Sequence, residues 1–150
     1  MRRIYFLALI ILALAGCGTK SSIKDSYLET IPFFNKTLIM EDSPHVMQQI
    51  MAIAEGDETL SVDGTILTIG DVSFKINLLG DGVTLISSIP PDDPKMEQVI
   101  KYFDSIYDPS PDNGTDDYYR WCKKGREGVY HDVCMRPLHS DEGGTTIMFS

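Results

Sequence analysis

Four short runs rich in β-branched and apolar residues, separated by Asp and Gly, restrict the fold of this chain more than any other feature. The runs lie between residues 59 and 88, and the separators are Asp63-Gly64, Gly70-Asp71 and Gly80-Asp81-Gly82. Asp-Gly pairs between β-branched runs are the strongest short-range signal for tight hairpins. The segment therefore predicts an antiparallel meander of three to four strands.

The third run, VSFKINL, alternates apolar and polar residues. Val72, Phe74, Ile76 and Leu78 fall on one face of such a strand, and polar side chains fall on the other. We therefore expect the meander to bury one face and expose the other, as antiparallel sheets can.

Two amphipathic segments predict helices that cover this sheet. The first starts at Ser43-Pro44, with Ser43 as the N-cap and Pro44 in the first turn, and Gly56 can end it. Its apolar face includes Met47 and Met51, for which core packing is the favoured interpretation and a binding groove the alternative. The second helix begins near Pro94 and has one apolar stripe, formed by Met96, Val99, Ile100, Phe103 and Ile106.

The remaining segments predict further strands. Pro32 breaks any helix through residues 26–40, so we expect a short helix before it and a strand near Thr37–Met40. Residues 108–117 have the composition of a loop. The C-terminal part predicts a hairpin and a last strand, at Tyr118–Cys122, Val129–Met135 and Thr145–Phe149. The fold class is therefore α+β, with a meander and a C-terminal hairpin in an antiparallel β-sheet covered by two α-helices.

The chain begins with Arg2 and Arg3, followed by the uncharged apolar segment Ile4–Gly16, which is shorter than a membrane span. The end of this segment and the residue after it read Leu14-Ala15-Gly16-Cys17, which resembles the bacterial lipobox at all four positions of that motif. The resemblance implies cleavage before Cys17 and attachment of a diacylglyceryl group to its thiol. An uncleaved membrane anchor is the alternative.

The same resemblance implies a signal peptide (1–16), a lipidated tether (17–25) and a single globular domain (26–150). Removal of the signal peptide leaves 134 residues and changes the net charge from −9 to −11. Two acyl chains give stable attachment to a bilayer, so the protein would be lipid-anchored in the bacterial cell envelope. An Asp directly after the lipidated cysteine would resemble an inner-membrane retention signal, but residue 18 is Gly. This favours the periplasmic side of the outer membrane as the location.

Two further cysteines, Cys122 and Cys134, predict a disulfide, because disulfides persist outside the cytoplasm. They are symmetric about Gly128, which suits a hairpin that turns there. A metal site with His131 and His139 is the alternative, although the spacing does not follow the paired-cysteine pattern of structural zinc sites.

The acidic charge argues against nucleic-acid binding, which needs clustered Lys and Arg, and it would attract a basic protein. The strand YYRW holds the residue types that dominate binding hot spots. Tyr118 and Arg120 share one face of this strand, so we predict that they contact the partner, with Asp116 and Asp117 at the rim. The other face, with Tyr119 and Trp121, suits the core.

No catalytic or cofactor motif accompanies these residues, so the sequence favours a non-enzymatic protein-binding module without a cofactor. An inhibitor, an immunity protein against a secreted toxin and an assembly accessory all belong to this class. Two alternatives stay open. One is a small envelope hydrolase that uses His131 or His139, and the other is a binder of glycans or small ligands.

Lipidation can be tested directly. Cys17→Ala should leave an unprocessed precursor that takes up no labelled fatty acid, because the acyl acceptor is gone. Cys122→Ala, the same substitution at another cysteine, should be labelled and processed like the wild type. If the Cys17→Ala protein is processed and partitions into detergent normally, the lipidation hypothesis is wrong.

Overall fold

The computed structural model of the chain describes residues 29–79, 82–110, 119–124, 130–138, 141 and 143–150, with the backbone alone at 123, 124, 130 and 131. These residues form ten strands and two helices. The strands are β1 (Thr30–Phe33), β2 (Lys36–Ile39), β3 (Leu60–Asp63), β4 (Ile66–Ile69), β5 (Val72–Leu79), β6 (Gly82–Ser87), β7 (Asp108–Pro109), β8 (Tyr119–Lys124), β9 (Tyr130–Pro137) and β10 (Thr145–Phe149). The helices are α1 (Ser43–Glu55) and α2 (Met96–Asp104). The fold is α+β, as predicted, with the sheet as its larger part.

Eight strands form one antiparallel sheet in the order β3-β4-β5-β6-β10-β9-β8-β7, and β1 pairs with β2 in a separate hairpin. Strands β3 to β6 occupy the segment for which the meander is predicted. The last strand, β10, lies between β6 and β9, with Thr145 opposite both Ser87 and Pro137. β10 therefore joins the β3–β6 strands and the C-terminal hairpin into one sheet.

One face of this sheet is apolar and buried. In β5, Val72, Phe74 and Ile76 are buried, whereas Ser73 and Lys75 are exposed. The helices contribute to the same core with residues one or two turns apart, namely Val46, Ile50 and Ala54 of α1 and Met96, Val99 and Phe103 of α2. The period-two alternation of the sequence is therefore what separates the buried face from the polar face.

Helix α1 begins one residue earlier than predicted. Its N-cap is Asp42, whose Oδ1 accepts a hydrogen bond from the His45 N–H at 3.1 Å, so Ser43 and Pro44 both lie in the first turn. This bond holds the pKa of Asp42 below its usual range. The expectation that Ser43 caps the helix is wrong, because the carboxylate of Asp42 satisfies the His45 N–H.

The two methionines of α1 differ in environment. Met47 is half-buried and packs against the core, as the core interpretation expects. Met51 is 45% exposed, so the core interpretation is wrong for this residue.

The β1–β2 hairpin replaces the short helix expected before Pro32 over the residues described. Pro32 lies in β1 opposite Thr37, and β1 has a partner on one side only. Such a strand tolerates a residue without an N–H. The strand expected near Thr37–Met40 corresponds to β2.

The hairpin is anchored through Phe34, in its two-residue turn. Phe34 is the one residue other than glycine with a positive φ in the described part of the chain, at 51°. This conformation costs a residue with a side chain roughly 1–2 kcal/mol. The ring is nevertheless 1% exposed, with its centroid 4.6–5.6 Å from those of its neighbours Phe33, Phe103, Phe149 and Tyr102. Aromatic packing therefore holds the strained turn in place.

Two side-chain hydrogen bonds fix α2 to the elements around it. The Tyr102 hydroxyl donates to Asp57 Oδ2 at 2.5 Å, which ties α2 to the connection after α1. The Trp121 Nε1–H donates to Asp104 Oδ1 at 2.7 Å, which ties α2 to β8. Both bonds orient α2 across the buried face of the sheet.

The strain at Phe34 predicts an unusual order of stabilities. Phe34→Ala should lower the free energy of unfolding by about 3–5 kcal/mol through loss of the ring. Phe34→Gly loses the same ring but relieves the positive φ, and this relief exceeds the roughly 0.5–1 kcal/mol that glycine costs in the unfolded chain. We therefore expect Phe34→Gly to be at least as stable as Phe34→Ala in urea unfolding.

Phe33 supplies the matched control, because it is equally buried and lacks the positive φ. There the order should reverse, and Phe33→Gly should be less stable than Phe33→Ala by about 0.5–1 kcal/mol. If the glycine variant is less stable than the alanine variant at both positions, Phe34 stores no strain.

Candidate functional site

Several residues predicted to carry function lie outside the described residues, namely Cys17, Asp116, Asp117, Tyr118 and His139. His131 lies in β9 opposite Lys123, and the structure describes its backbone alone. Arg120, Cys122 and Cys134 are described with their side chains.

The strand YYRW divides between two faces. Trp121 is fully buried, as expected for a core residue, whereas Tyr119 is 37% exposed and stacks on Trp121 with centroids 5.5 Å apart. Arg120 belongs to the other face, where it is half-buried opposite Cys134. Tyr119 is therefore the most exposed of these three side chains. The sequence had predicted that Tyr119 lies in the core.

The face opposite the core, called the outer face below, carries three basic side chains in its two central rows, and Asp63 lies at the β3 end of one row. Residues opposite one another across strands form these rows, which are Asn77, Thr84, Met148, Cys134 and Arg120, and Asp63, Ile66, Lys75, Ile86, Thr146 and Arg136. Lys75, Arg120 and Arg136 thus belong to the same face of the sheet, which they share with Asp63 and Asp132.

The opposite charge gathers around α1 and β3. Residues 37–74 contain no Lys or Arg and seven carboxylates, namely Glu41, Asp42, Glu55, Asp57, Glu58, Asp63 and Asp71. All seven are exposed except Asp57, which is half-buried. The seven carboxylates are therefore balanced by no Lys or Arg of the same segment, and α1 and β3 lie within this acidic segment.

Asp57 stays ionised despite its partial burial. The hydroxyl of Tyr102 and the Thr59 N–H both donate to its carboxylate, at 2.5 and 2.8 Å, and hold the pKa of Asp57 below its usual range. Burial, aided by this carboxylate, raises the pKa of Tyr102, so its hydroxyl remains a donor. The negative charge beside β3 is therefore fixed at neutral pH.

A cavity of about 250 Å³ lies between α1 and β3. It is lined by Met51, Ala54 and Glu55 from the helix and by Leu60, Ser61 and Val62 from the strand. Ser61 points to the outer face and its two neighbours to the core side. The cavity therefore follows the edge of β3 itself, and the exposed Met51 forms part of its wall.

A second cavity of about 330 Å³ lies where the connection after β6 meets the end of β9. Its lining is rich in proline and glycine and consists of Pro90, Pro91, Asp92, Pro137, Leu138, Gly143 and Gly144. None of the described residues that line either cavity is aromatic. Stacking on a sugar ring is therefore not a property of these linings.

The groove at β3 was not predicted from the sequence. Two signals were present in the sequence: the absence of Lys and Arg from residues 37–74, and the alternative interpretation of the methionines as a binding groove. For Met51 the groove interpretation fits its exposure and its place in the wall.

Cys122 and Cys134 are not directly opposite each other in the hairpin, as a register symmetric about Gly128 would require. Paired residues of β8 and β9 are symmetric about position 127, so Cys122 lies opposite Asp132 and Cys134 opposite Arg120. No disulfide joins Cys122 and Cys134 in the structure, which describes both. Their diagonal relation sets their Cα atoms about 7–8 Å apart, beyond the usual 4.4–6.8 Å of a disulfide. The assumed register is wrong, and the bridge stays a prediction.

Comparisons with known proteins give no assignment. No protein-family model, no curated protein and no solved structure matches the chain. Within the described ranges, neither helix is long and apolar enough to cross a membrane. The same ranges contain no group of three His, Cys, Asp or Glu residues placed to hold a metal ion.

The register of the C-terminal hairpin predicts which thiols can be bridged. Asp132→Cys combined with Cys134→Ser should form a disulfide with Cys122 under mild oxidation, because directly opposite Cα atoms lie about 4.5–5.5 Å apart. The natural pair should bridge more slowly under the same conditions. Thiol counting on the unfolded, unreduced proteins measures both. If the natural pair bridges readily and the engineered pair does not, the hairpin pairs about position 128.

Proposed function

We propose that this chain is a lipid-anchored protein of the bacterial envelope that binds a basic protein stoichiometrically, as an inhibitor or immunity protein does. In this proposal an antiparallel sheet covered by two helices forms the binding module. The observation that supports it is the acidic segment of residues 37–74, with seven carboxylates and no Lys or Arg.

An acidic segment of this kind orients an encounter as well as attracting a basic partner. A partner with a basic surface is drawn to the part of the molecule that holds α1 and β3, where no Lys or Arg of residues 37–74 opposes the carboxylates. Such steering operates over about 10 Å at 0.1 M salt and about 3 Å at 1 M. Binding should therefore be strongly salt-dependent.

The proposed anchor places this surface close to the membrane. Glu29, where the described chain begins, lies twelve positions after Cys17. A fully extended tether of that length reaches about 40 Å. A domain held within this distance meets a basic protein as it arrives at or crosses the envelope. The periplasmic side of the outer membrane is the proposed location.

Arg120 remains a second contact proposed from the sequence, together with Tyr118, Asp116 and Asp117. Arg120 and the acidic residues around α1 belong to different sides of the molecule. A single small partner would not be expected to cover both, so substitutions in the two regions report on different contacts.

Affinity capture tests the proposal. Full mature protein in detergent, used on envelope extracts at 0.1 M salt, should retain one dominant basic protein in about a 1:1 ratio. Most of it should be released at 1 M salt, where the Debye length is about 3 Å. Arg120→Ala should weaken capture if the strand YYRW is part of the contact, and Lys75→Ala is its matched control on the same face.

The competing hydrolase predicts the opposite pattern. Capture would return nothing, the pure protein would turn over an envelope substrate, and His131→Ala would abolish that turnover. This result would overturn the binding proposal.

A further inference from the structure

We infer that the basic partner docks as an extended strand on the open edge of β3, in the groove between β3 and α1. This inference rests on the proposed function and adds the surface and the mode of recognition. A strand added to a sheet edge gains affinity from main-chain hydrogen bonds and specificity from alternate side chains.

The hydrogen-bond pattern shows which backbone groups this edge offers. β3 is the first strand of the sheet, with β4 on one side only. Thr59 O accepts from the Gly70 N–H at 3.0 Å, so residues 59, 61 and 63 form their bonds with β4. The N–H and C=O of Val62 and the C=O of Leu60 therefore point away from β4. The Leu60 N–H is satisfied by Asp57 O at 3.1 Å.

The other edge of the sheet is protected, and that of β3 is not. β7 consists of Asp108 and Pro109 alone, and a two-residue strand that contains proline is a poor template for pairing. β3 has four residues, LSVD, without proline or lysine. An edge left unblocked in this way is a surface that can accept a strand.

The cavity beside β3 lies where the side chains of an added strand would be placed. Met51 and Ala54 of α1 line it together with Leu60 and Val62, so every second side chain of the incoming strand meets an apolar wall. Ser61 faces the other way, where the remaining side chains stay in contact with water. The groove therefore selects a segment that alternates apolar and polar residues.

The charges at the groove specify the polar residues of that segment. Glu55 lines the cavity, and Glu58 and Asp63 are exposed near the two ends of β3. No Lys or Arg occurs from residue 37 to residue 74. A segment that alternates Lys or Arg with apolar residues is thus complementary in both charge and spacing.

A short synthetic peptide tests this mode of binding without knowledge of the partner. The probe is a capped seven-residue peptide of alternating Lys and Val, titrated into the full mature protein in detergent and followed by NMR. We expect the amide of Val62 to shift and to gain protection from hydrogen exchange. The amide of Ser61, already bonded to β4, should gain little. A peptide of alternating Glu and Val should not bind.

Two substitutions at one position separate backbone pairing from side-chain packing. Val62→Pro removes the outward N–H without touching the ladder to β4, and Val62→Ala keeps it while losing comparable packing. Because one backbone hydrogen bond contributes about 1 kcal/mol, Val62→Pro should weaken the peptide several-fold relative to Val62→Ala. The spectrum of each variant confirms that it folds.

A charge reversal tests the second element of recognition. Glu55→Lys should weaken binding more than Asp92→Lys, the same change at an exposed residue of the other cavity. Equal effects would show that net charge alone attracts the peptide and would overturn the assignment of the groove.

Three further results would overturn the inference. In the first, the NMR shifts caused by the peptide map to the outer face around Lys75. In the second, the Val62→Pro protein binds the peptide as well as Val62→Ala does. In the third, the amide of Val62 is protected without peptide, in a dimer that depends on protein concentration. The last result would identify a second copy of the chain as the occupant.

If a captured basic partner binds Val62→Pro and Glu55→Lys normally, the proposed function stands and the docking mode is wrong. If capture returns nothing while the peptide binds as described, the groove stands and the proposed function is wrong.

Discussion

The aromatic contact between the β1–β2 hairpin and the main sheet is the interaction on which the rest of the structure depends. Neither strand of the hairpin pairs with the eight-stranded sheet, so the two are not joined by strand pairing and their aromatic side chains pack together instead. Phe33 meets Phe149 of β10 with centroids 4.7 Å apart, and Phe34 meets Phe103 of α2 at 5.5 Å. The hairpin therefore packs against both the sheet and α2, which explains why a strained conformation at Phe34 is tolerated. Loss of this contact would release the element that directly precedes α1.

The position of α1 in turn determines the candidate site. Gln49 of α1 accepts from the Ile39 N–H and donates to the Ile39 carbonyl oxygen, both at 2.9 Å, so its amide takes the place of a neighbouring strand along β2. This contact joins the helix to the hairpin. Met51 and Glu55 follow on the same helix and form the wall of the groove beside β3. A chain of contacts thus runs from the aromatic cluster to the groove, although no residue of the cluster lines it.

The sequence could predict what depends on neighbours in the chain. The Asp-Gly turns define the hairpins from β3 to β6, since only local backbone geometry is involved, and the alternation in β5 identifies the buried face. It could not predict that β10 inserts between β6 and β9, because that pairing depends on contacts far apart in sequence. The register of Cys122 and Cys134 failed for a related reason, since one residue in the turn decides which residues lie opposite. Phe34 was also beyond prediction, because its conformation opposes local preference and tertiary packing alone maintains it.

An unprotected edge strand is normally a hazard, because two copies of a protein can pair through it. In this chain the carboxylates that would attract a basic strand also oppose self-pairing. Two copies joined antiparallel through β3 would bring Glu58 and Asp63 of one close to the same residues of the other, with no Lys or Arg from residues 37–74 to compensate. Like charges at this spacing disfavour the pair, whereas a strand that carries Lys or Arg meets them favourably. The same few side chains can therefore keep the edge open and select its occupant, without the proline or lysine that would close it to every strand.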